Sequence, residues 1–352
     1  MSDTHRSNSA QDSVPARAFD APRPVFPLLA IGGLLLLLAS LGVGSYPLGW
    51  GDAAALLGAA LGGPAHGRDP LLEQVFWQIR LPRVVGATLI GAALAASGAC
   101  LQRVFRNPLA APEFLGVSSG AALGAALAIV AGVGAAALQL SAFVGGLCAI
   151  TLVLVLGPLL PSRDRLLGLV LTGVTISSLA GAVLAALVAF ADPRSALPAI
   201  SYWMLGSFAA IDSQALGWLA LALCLSITPL LMLRWRADVL ALGDDEARAM
   251  GVHSHRLRLA LVVLASLATS AAVAAAGMIA WVGLVVPHLA RLLVGASFAR
   301  WLPASVLLGA VFMLAIDTVC RASGNAELPP GVLAALLGAP LLFVLMRGRD
   351  RG

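Results

Sequence analysis

RWRADVLALGDDEARAMGVHSHRLR, residues 234–258, is the one long polar stretch between hydrophobic runs, and it carries five arginines and four acids. Each such charge costs roughly 2.5–3.5 kcal/mol at the centre of a bilayer, so lipid would charge it well over about 20 kcal/mol in total. The stretch belongs in water, and the runs on either side of it belong in a membrane.

Composition extends that reading to the whole chain. Of 352 residues 60% are hydrophobic and only 11% charged, with a mean hydropathy of +0.94. A soluble fold of this size has no interior large enough to hide so much apolar surface. The expected class is an all-α polytopic membrane protein, and its 37 glycines suit close helix approach. All 22 basic residues are arginine. Without a lysine the chain cannot build the GK[ST] phosphate cradle of a P-loop ATPase. The positive balance does not point to nucleic acid, because the arginines are spread over short loops and the aromatics over helices. Cys100, Cys148, Cys224 and Cys320 all sit in apolar runs and read as buried free thiols. His5, His66, His253, His255 and His288 are scattered, so spacing supports no metal site.

Working outward in chain order, residues 1–24 form a polar, proline-containing tail without signal-peptide features, expected to be disordered and cytoplasmic. Residues 25–347 read as one transmembrane domain and 348–352 as a second cytoplasmic tail. A first span covers 25–44; 46–78 is mixed, with a short interfacial helix over 49–61 and turn chemistry in GGPAHGRDP; a second span covers 84–101. The 49 uncharged positions of 114–162 predict a helical hairpin turning near 132–139. Spans at 166–191 and 213–233 flank an exposed segment, 192–212, with an interfacial Tyr202-Trp203 pair. The run 259–287 allows one tilted helix or two. A turn at 277–283, with the second helix running on to 293, puts Arg347, Arg349 and Arg351 inside, as the positive-inside rule prefers. Spans at 301–319 and 328–346 complete ten. With both termini inside, 17 of the 22 arginines are cytoplasmic and five external, which places 234–258 in the cytoplasm.

Within that loop Leu242 and Gly243 precede Asp244, Asp245 and Glu246, acids suited to a helix N-terminus, and Gly251 follows Met250 as a C-terminal stop. A short exposed helix is predicted there, more apolar at Leu240, Leu242 and Met250 than a solvated connector requires. Asp317 is the one acid well inside a predicted span, four residues before Arg321 on the same helix face. It reads as half of a structural pair; a proton or sodium site would need more converging ligands.

Five blocks in order, RLPR (80–83), FRNPLAAPEFLGVSSGAALGA (105–125), LGDDEARAMG (242–251), GLVVPHLAR (283–291) and ELPPGVLAALLGAP (327–340), resemble the permease family of ABC importers for iron chelates and vitamin B12. The resemblance implies a type II importer architecture: a homodimer of ten-helix subunits in the bacterial inner membrane with a path on the twofold axis. It also implies two ATPase subunits below, which hold the ATP and Mg, and a periplasmic binding protein above. This chain would bind no cofactor and catalyse nothing itself. Leu242, Gly243, Asp244, Asp245, Glu246, Ala247, Arg248, Met250 and Gly251 would form the coupling helix that enters the ATPase. Arg80, Arg83 and Arg321 match positions that dock glutamates of the binding protein, a role that suits the guanidinium fork. Asn107 and Leu109 match a cytoplasmic gate loop. The second gate finds no match in PSRDRLLG (161–168). Ser118, Ser119, Thr172 and Thr175, with Ser177 and Ser178, could line the path or pack helices. His288 lies at a position shared by carriers of unrelated substrates, which argues against haem ligation. The resemblance favours haem over a ferric siderophore as cargo, with vitamin B12 as the alternative. A reading from another class is a stand-alone secondary transporter or channel.

Overall fold

A computed structural model describes residues 24–44, 46–60, 69–160, 165–324 and 327–347. The two expected tails, apart from Pro24, most of the GGPAHGRDP turn and the start of PSRDRLLG lie outside the described residues.

The described chain is helical and contains no β-strand. In order it forms α1 (Val25–Leu41), α2 (Trp50–Ala60), α3 (Pro70–Gln74), α4 (Leu81–Val104), α5 (Val117–Val130), α6 (Ala135–Leu156), α7 (Arg165–Phe190), α8 (Ala196–Met204), α9 (Ser213–Val239) and α10 (Asp244–Ala249). It continues through α11 (Ser254–Ala276), α12 (Val282–Val294), α13 (Phe298–Ala322) and α14 (Pro330–Arg347). Among the described residues six helical stretches are long and apolar enough to cross a membrane, and four shorter ones, in α1, α5, α12 and α14, are apolar over 10–17 residues. The ten predicted spans fall on these ten stretches; α2, α8 and α10 lie between them.

Three boundaries differ from the sequence reading. The second span does not begin at 84: α3 runs through a π-helical turn, Val75–Arg80, into α4, giving one stretch of 35 residues from Pro70 to Val104. Pro82 accounts for the π turn. It has no N–H for the Gln78 carbonyl and its ring crowds the preceding turn, and the widened turn, where Leu81 N–H reaches back to Phe76, makes room. Second, α9 continues past 233 and takes Arg234, Arg236 and Asp238 into its last turns, so the polar loop is shorter than its charges suggest. Third, the exposed segment 192–212 contains a helix, α8.

In lipid the hydrophobic effect does little to hold helices together, so close packing through small residues must serve. α4 shows how. It runs antiparallel to α13, and a Cβ added to Gly91 would lie 2.1 Å from the Gly309 carbonyl oxygen. One added to Gly98 would lie 1.8 Å from the Gly283 oxygen on α12. Backbone meets backbone at both crossings, so neither glycine can be replaced without moving a helix. Ser97 Oγ adds a contact to the Ala265 carbonyl of α11, 2.8 Å away. The same crossing repairs a defect: Pro287 gives the Gly283 carbonyl no helical donor, and Gln102 Nε2 donates to it at 3.2 Å. α4 is thus the buried centre, wrapped by α9, α11, α12 and α13, with α5 and α6 forming a hairpin against α11. α7 stands at the margin, with only 11% of its apolar window buried.

Cys100 and Cys320 are buried as expected, but Cys148 and Cys224 are exposed on the outer faces of α6 and α9. An apolar sequence run cannot distinguish a side chain facing another helix from one facing outward.

Candidate functional site

The two ends of the α4–α13 pair carry different polar constructions. At the end where α9 meets α10, Leu240 is fully buried and anchors the chain before it turns outward. Gly243 then adopts φ +131°, open to glycine and strained for other residues, and α10 begins with Asp244, Asp245 and Glu246 against its positive N-terminal end. Ala247 is buried beneath the helix, and its carbonyl accepts from Val252 N–H at 2.8 Å as the chain turns back. Arg258 of α11 reaches across to donate to both carboxylate oxygens of Asp244. That hydrogen bond holds the Asp244 carboxyl below its ordinary range, with the Arg258 and Arg106 charges adding to it against a small burial cost. Arg248 and Asp245 approach to 3.5 Å but are largely in solvent, and so contribute little. Leu242 and Met250 are each 60% exposed at the two ends of α10. The result is a short helix presenting two apolar side chains and an acidic turn outward, clasped to the body by one ion pair and one buried alanine.

Beside it lies the turn after α4. Asn107 Oδ1 accepts from Leu109 N–H at 2.9 Å, and Ala110 N–H closes on the Asn107 carbonyl at 3.1 Å. This is a tight asparagine-led turn, and Leu109 stands partly exposed on it. A 3-10 turn, Pro112–Leu115, follows and leads into α5. In it Glu113 holds Oε2 buried with no hydrogen-bond partner, and burial raises its carboxyl above the ordinary range. The Glu113 carbonyl accepts from Ser177 Oγ of α7 at 3.4 Å. Of the candidate path residues, Ser118 is buried and Ser119 half-buried on α5. On α7, Thr172 is buried and Thr175 and Ser178 are exposed. Thr172 and Thr175 return their hydroxyls to carbonyls one turn back, at 2.8 and 2.9 Å. Ser177 joins the turn at Glu113, and among the described residues no other contact gathers these hydroxyls into one lining.

At the opposite end Arg80, Arg83 and Arg321 converge, all three buried. Arg83 Nε and Arg321 Nε each donate at 2.8 Å to a separate oxygen of Asp317, which is fully buried between them. Arg83 Nη1 also donates to Glu327 at 2.8 Å. Arg321 donates further to the Ser40 and Val43 carbonyls and to Ser40 Oγ. Arg80 donates to the Leu41 carbonyl at 3.1 Å and the Tyr46 carbonyl at 2.8 Å. The three guanidiniums are therefore engaged within the chain. Of the groups in this cluster Glu327, with 36% of its side chain exposed, borders solvent. The predicted Asp317–Arg321 pair is present as part of this larger cluster.

Sequence reasoning missed Arg103, Asp238, Glu113 and Glu327. Glu327 pairs with Arg83 and Asp238 with Arg103, partners on α4 that spacing along the chain does not reveal. Among the described residues no group of three histidines, cysteines or acids is arranged to hold a metal.

Comparison with known proteins is consistent along the chain. The pattern of the FecCD transport family matches residues 31–348. The molybdate import system permease protein MolB of Haemophilus influenzae is 39% identical over 331 residues, covering 93% of this chain and 97% of that protein. The hemin transport system permease protein HmuU of Yersinia pestis is 37% identical over 336 residues, covering 93% and 98%. A solved metal-chelate type ABC transporter in an inward-facing conformation superposes with a TM-score of 0.81 at 38% identity, covering 93% of this chain and all of that one.

Proposed function

This chain belongs to the FecCD transport family of ABC importer permeases, and on that footing we propose that two copies form the membrane path of an ATP-driven importer, with α10 as the element that docks its ATPase. The observation that carries the docking role is the exposure of Leu242 and Met250 at the two ends of a helix whose Ala247 is buried. Two apolar side chains in water beside an acidic turn cost little if a partner covers them, and a connector would have no use for them. The arginine distribution supports a cytoplasmic α10 and cytoplasmic termini, with the Arg83–Asp317 end facing the binding protein. There Glu327 and the arginines behind it offer charged groups for a docking lobe. The turn at Asn107 and Leu109 then lies beside the ATPase, where a small rearrangement could close the path. Ser118, Ser119, Thr172 and Thr175 are the hydroxyl-bearing candidates for its wall.

The chain's role is alternating access. ATP binding closes the ATPase pair, α10 moves with it, and the differential ATP affinity of the two states supplies the free energy. The permease needs no tight cargo site of its own. For cargo we take haem, or a ferric siderophore, as the first reading, supported by the likeness to HmuU, with vitamin B12 as the alternative. Molybdate is the second reading, because the likeness to MolB extends over 331 residues at higher identity.

Copurification tests the docking role: the tagged permease should retain an ATPase subunit, and Leu242→Glu with Met250→Glu should lose it while remaining monodisperse. Ion-driven uptake by the permease alone would overturn the reading. Uptake of labelled haem, vitamin B12 and molybdate into proteoliposomes holding the full transporter and its binding protein assigns the cargo.

A further inference from the structure

The last residues of α9 are gripped from two sides. Arg103, in the final turn of α4, donates Nε to the Ala237 carbonyl at 3.0 Å and Nη2 to the Asp238 carbonyl at 2.8 Å and to Asp238 Oδ1 at 2.7 Å. Arg106 donates Nη2 to the Leu240 carbonyl at 2.5 Å. From the other side Asp238 takes the first turn of α13: Oδ1 accepts from Phe298 N–H at 2.6 Å, and Oδ2 from Ala299 N–H at 3.0 Å and Ser297 Oγ at 2.9 Å. Arg103 also lies over the Phe298 ring, 5.9 Å from its centre. One carboxylate thus joins the ends of α4, α9 and α13.

Two features make this more than a helix cap. Leu240 lies only four residues before Asp244, where α10 begins, so a displacement of α10 reaches its carbonyl through a short segment. Arg106 immediately precedes Asn107 and holds φ +50°, one of two non-glycine residues at positive φ among those described. An arginine backbone in that region costs free energy and persists only where something holds it. The guanidinium bond to Leu240 is such a hold. The route from α10 to the Asn107–Leu109 turn is therefore a single side chain long: α10, the Leu240 carbonyl, Arg106, then Asn107.

We propose that Arg103, Asp238 and Arg106 are positioning residues that convert displacement of α10 into displacement of the 105–110 turn. Asp238 and Arg103 fix the α9 terminus against α13 and α4, so that the segment after it swings from a set point. Arg106 transmits that swing to the turn. The relay rests on the reading of α10 as the ATPase-docking helix and of the turn as the part that closes the path.

The test measures ATP hydrolysis and uptake side by side in proteoliposomes containing the full transporter. Arg106→Asn removes the guanidinium and places a residue that tolerates positive φ, so it breaks the link without adding strain. The relay predicts that this variant keeps its ATPase subunit and hydrolyses ATP within about twofold of wild type, while uptake per ATP falls on the order of tenfold, a usual scale for coupling between sites. Arg106→Lys, which can still reach the carbonyl with one donor, should recover part of that ratio. Arg103→Lys should lower it, because a single ammonium cannot hold two carbonyls and a carboxylate together. Wild-type uptake per ATP in Arg106→Asn overturns the relay. So does a parallel loss of hydrolysis and uptake in both Arg106 variants, which would mark a structural residue; if Arg106→Asn does not fold, Arg106→Lys and Arg103→Lys decide. Failure of the unaltered chain to retain an ATPase would count against the proposed function instead.

Discussion

Asp317→Asn is the sharpest probe of the buried charge cluster. Asp317 is fully buried and gives one oxygen to Arg83 and the other to Arg321, both at 2.8 Å. Asparagine keeps the shape but replaces one acceptor with an NH2 group, so one guanidinium would face a donor at hydrogen-bonding distance. Removing one partner of a buried ion pair costs about 3–5 kcal/mol, because the charge left behind stays desolvated. The lower end applies here. Arg83 keeps Glu327, and Arg321 keeps the Ser40 and Val43 carbonyls. The expected loss is therefore about 3 kcal/mol for Asp317→Asn, and nearer 5 kcal/mol for Asp317→Ala, which removes both acceptors. Glu327→Gln is the control: it removes one charge from a pair that borders solvent, and should cost less than about 1 kcal/mol. Reversible unfolding in mixed micelles, followed by far-ultraviolet circular dichroism, measures all three. An Asp317→Asn protein as stable as wild type, or a Glu327→Gln protein destabilised equally, would refute the assignment of Asp317 as the central acceptor.

Other perturbations follow from the same geometry. Glu113→Gln should raise stability near neutral pH, since it replaces a buried carboxyl that burial penalises when charged with an amide that cannot ionise. Because burial raises the Glu113 pKa, wild-type stability should fall as pH rises through that value, and the variant should lack that fall; thermal unfolding across pH checks both. The Asp244–Arg258 clasp has the opposite sign. The hydrogen bond from Arg258 depresses the Asp244 pKa, so the contribution of the clasp is present above the ordinary aspartate value of about 3.9 and lost as pH falls through the depressed one. Amide exchange in residues 244–252, corrected for intrinsic rates, should accelerate at low pH in wild type and be fast already at neutral pH in Asp244→Asn. Gly98→Ala should cost about 3 kcal/mol, because its Cβ would lie 1.8 Å from a backbone oxygen of α12, whereas Gly58→Ala, with nothing within 4 Å, should be neutral or slightly stabilising in the same unfolding assay.

Hydropathy was a sound guide to where helices could meet lipid and a poor one to where they stop. Arg234, Arg236 and Asp238 looked like the start of a loop because lipid rejects them, yet α9 carries them in its last turns. A helix ends where its hydrogen-bond ladder ends, and charge in water does not break that ladder. The same gap hid the 35-residue stretch beginning at Pro70, whose polar first turns resembled an exterior linker. At the site, α10 was legible because its acids, glycines and apolar residues are local signals. Asp317 and Arg321 were legible because four residues make one helical turn. The partner of Asp317 on α4 was not, nor was the bond between Asp238 and the start of α13, because each joins residues from different helices and spacing along the chain says nothing about them.

The long reach of the Arg83–Asp317 pair bears on how the protein is made. Its two members are 234 residues apart in the chain, so at about 5–20 residues per second the ribosome needs roughly ten to fifty seconds to deliver the acid after the arginine. Through that interval Arg83 leads a newly inserted helix with no carboxylate from α13 to meet it. The glycines of α4 wait almost as long for the backbones of α12 and α13. The centre of the finished bundle is therefore among its earliest parts to enter the membrane and among its last to settle, and a chaperone or insertase that shelters a charged helix end during synthesis would act at this span.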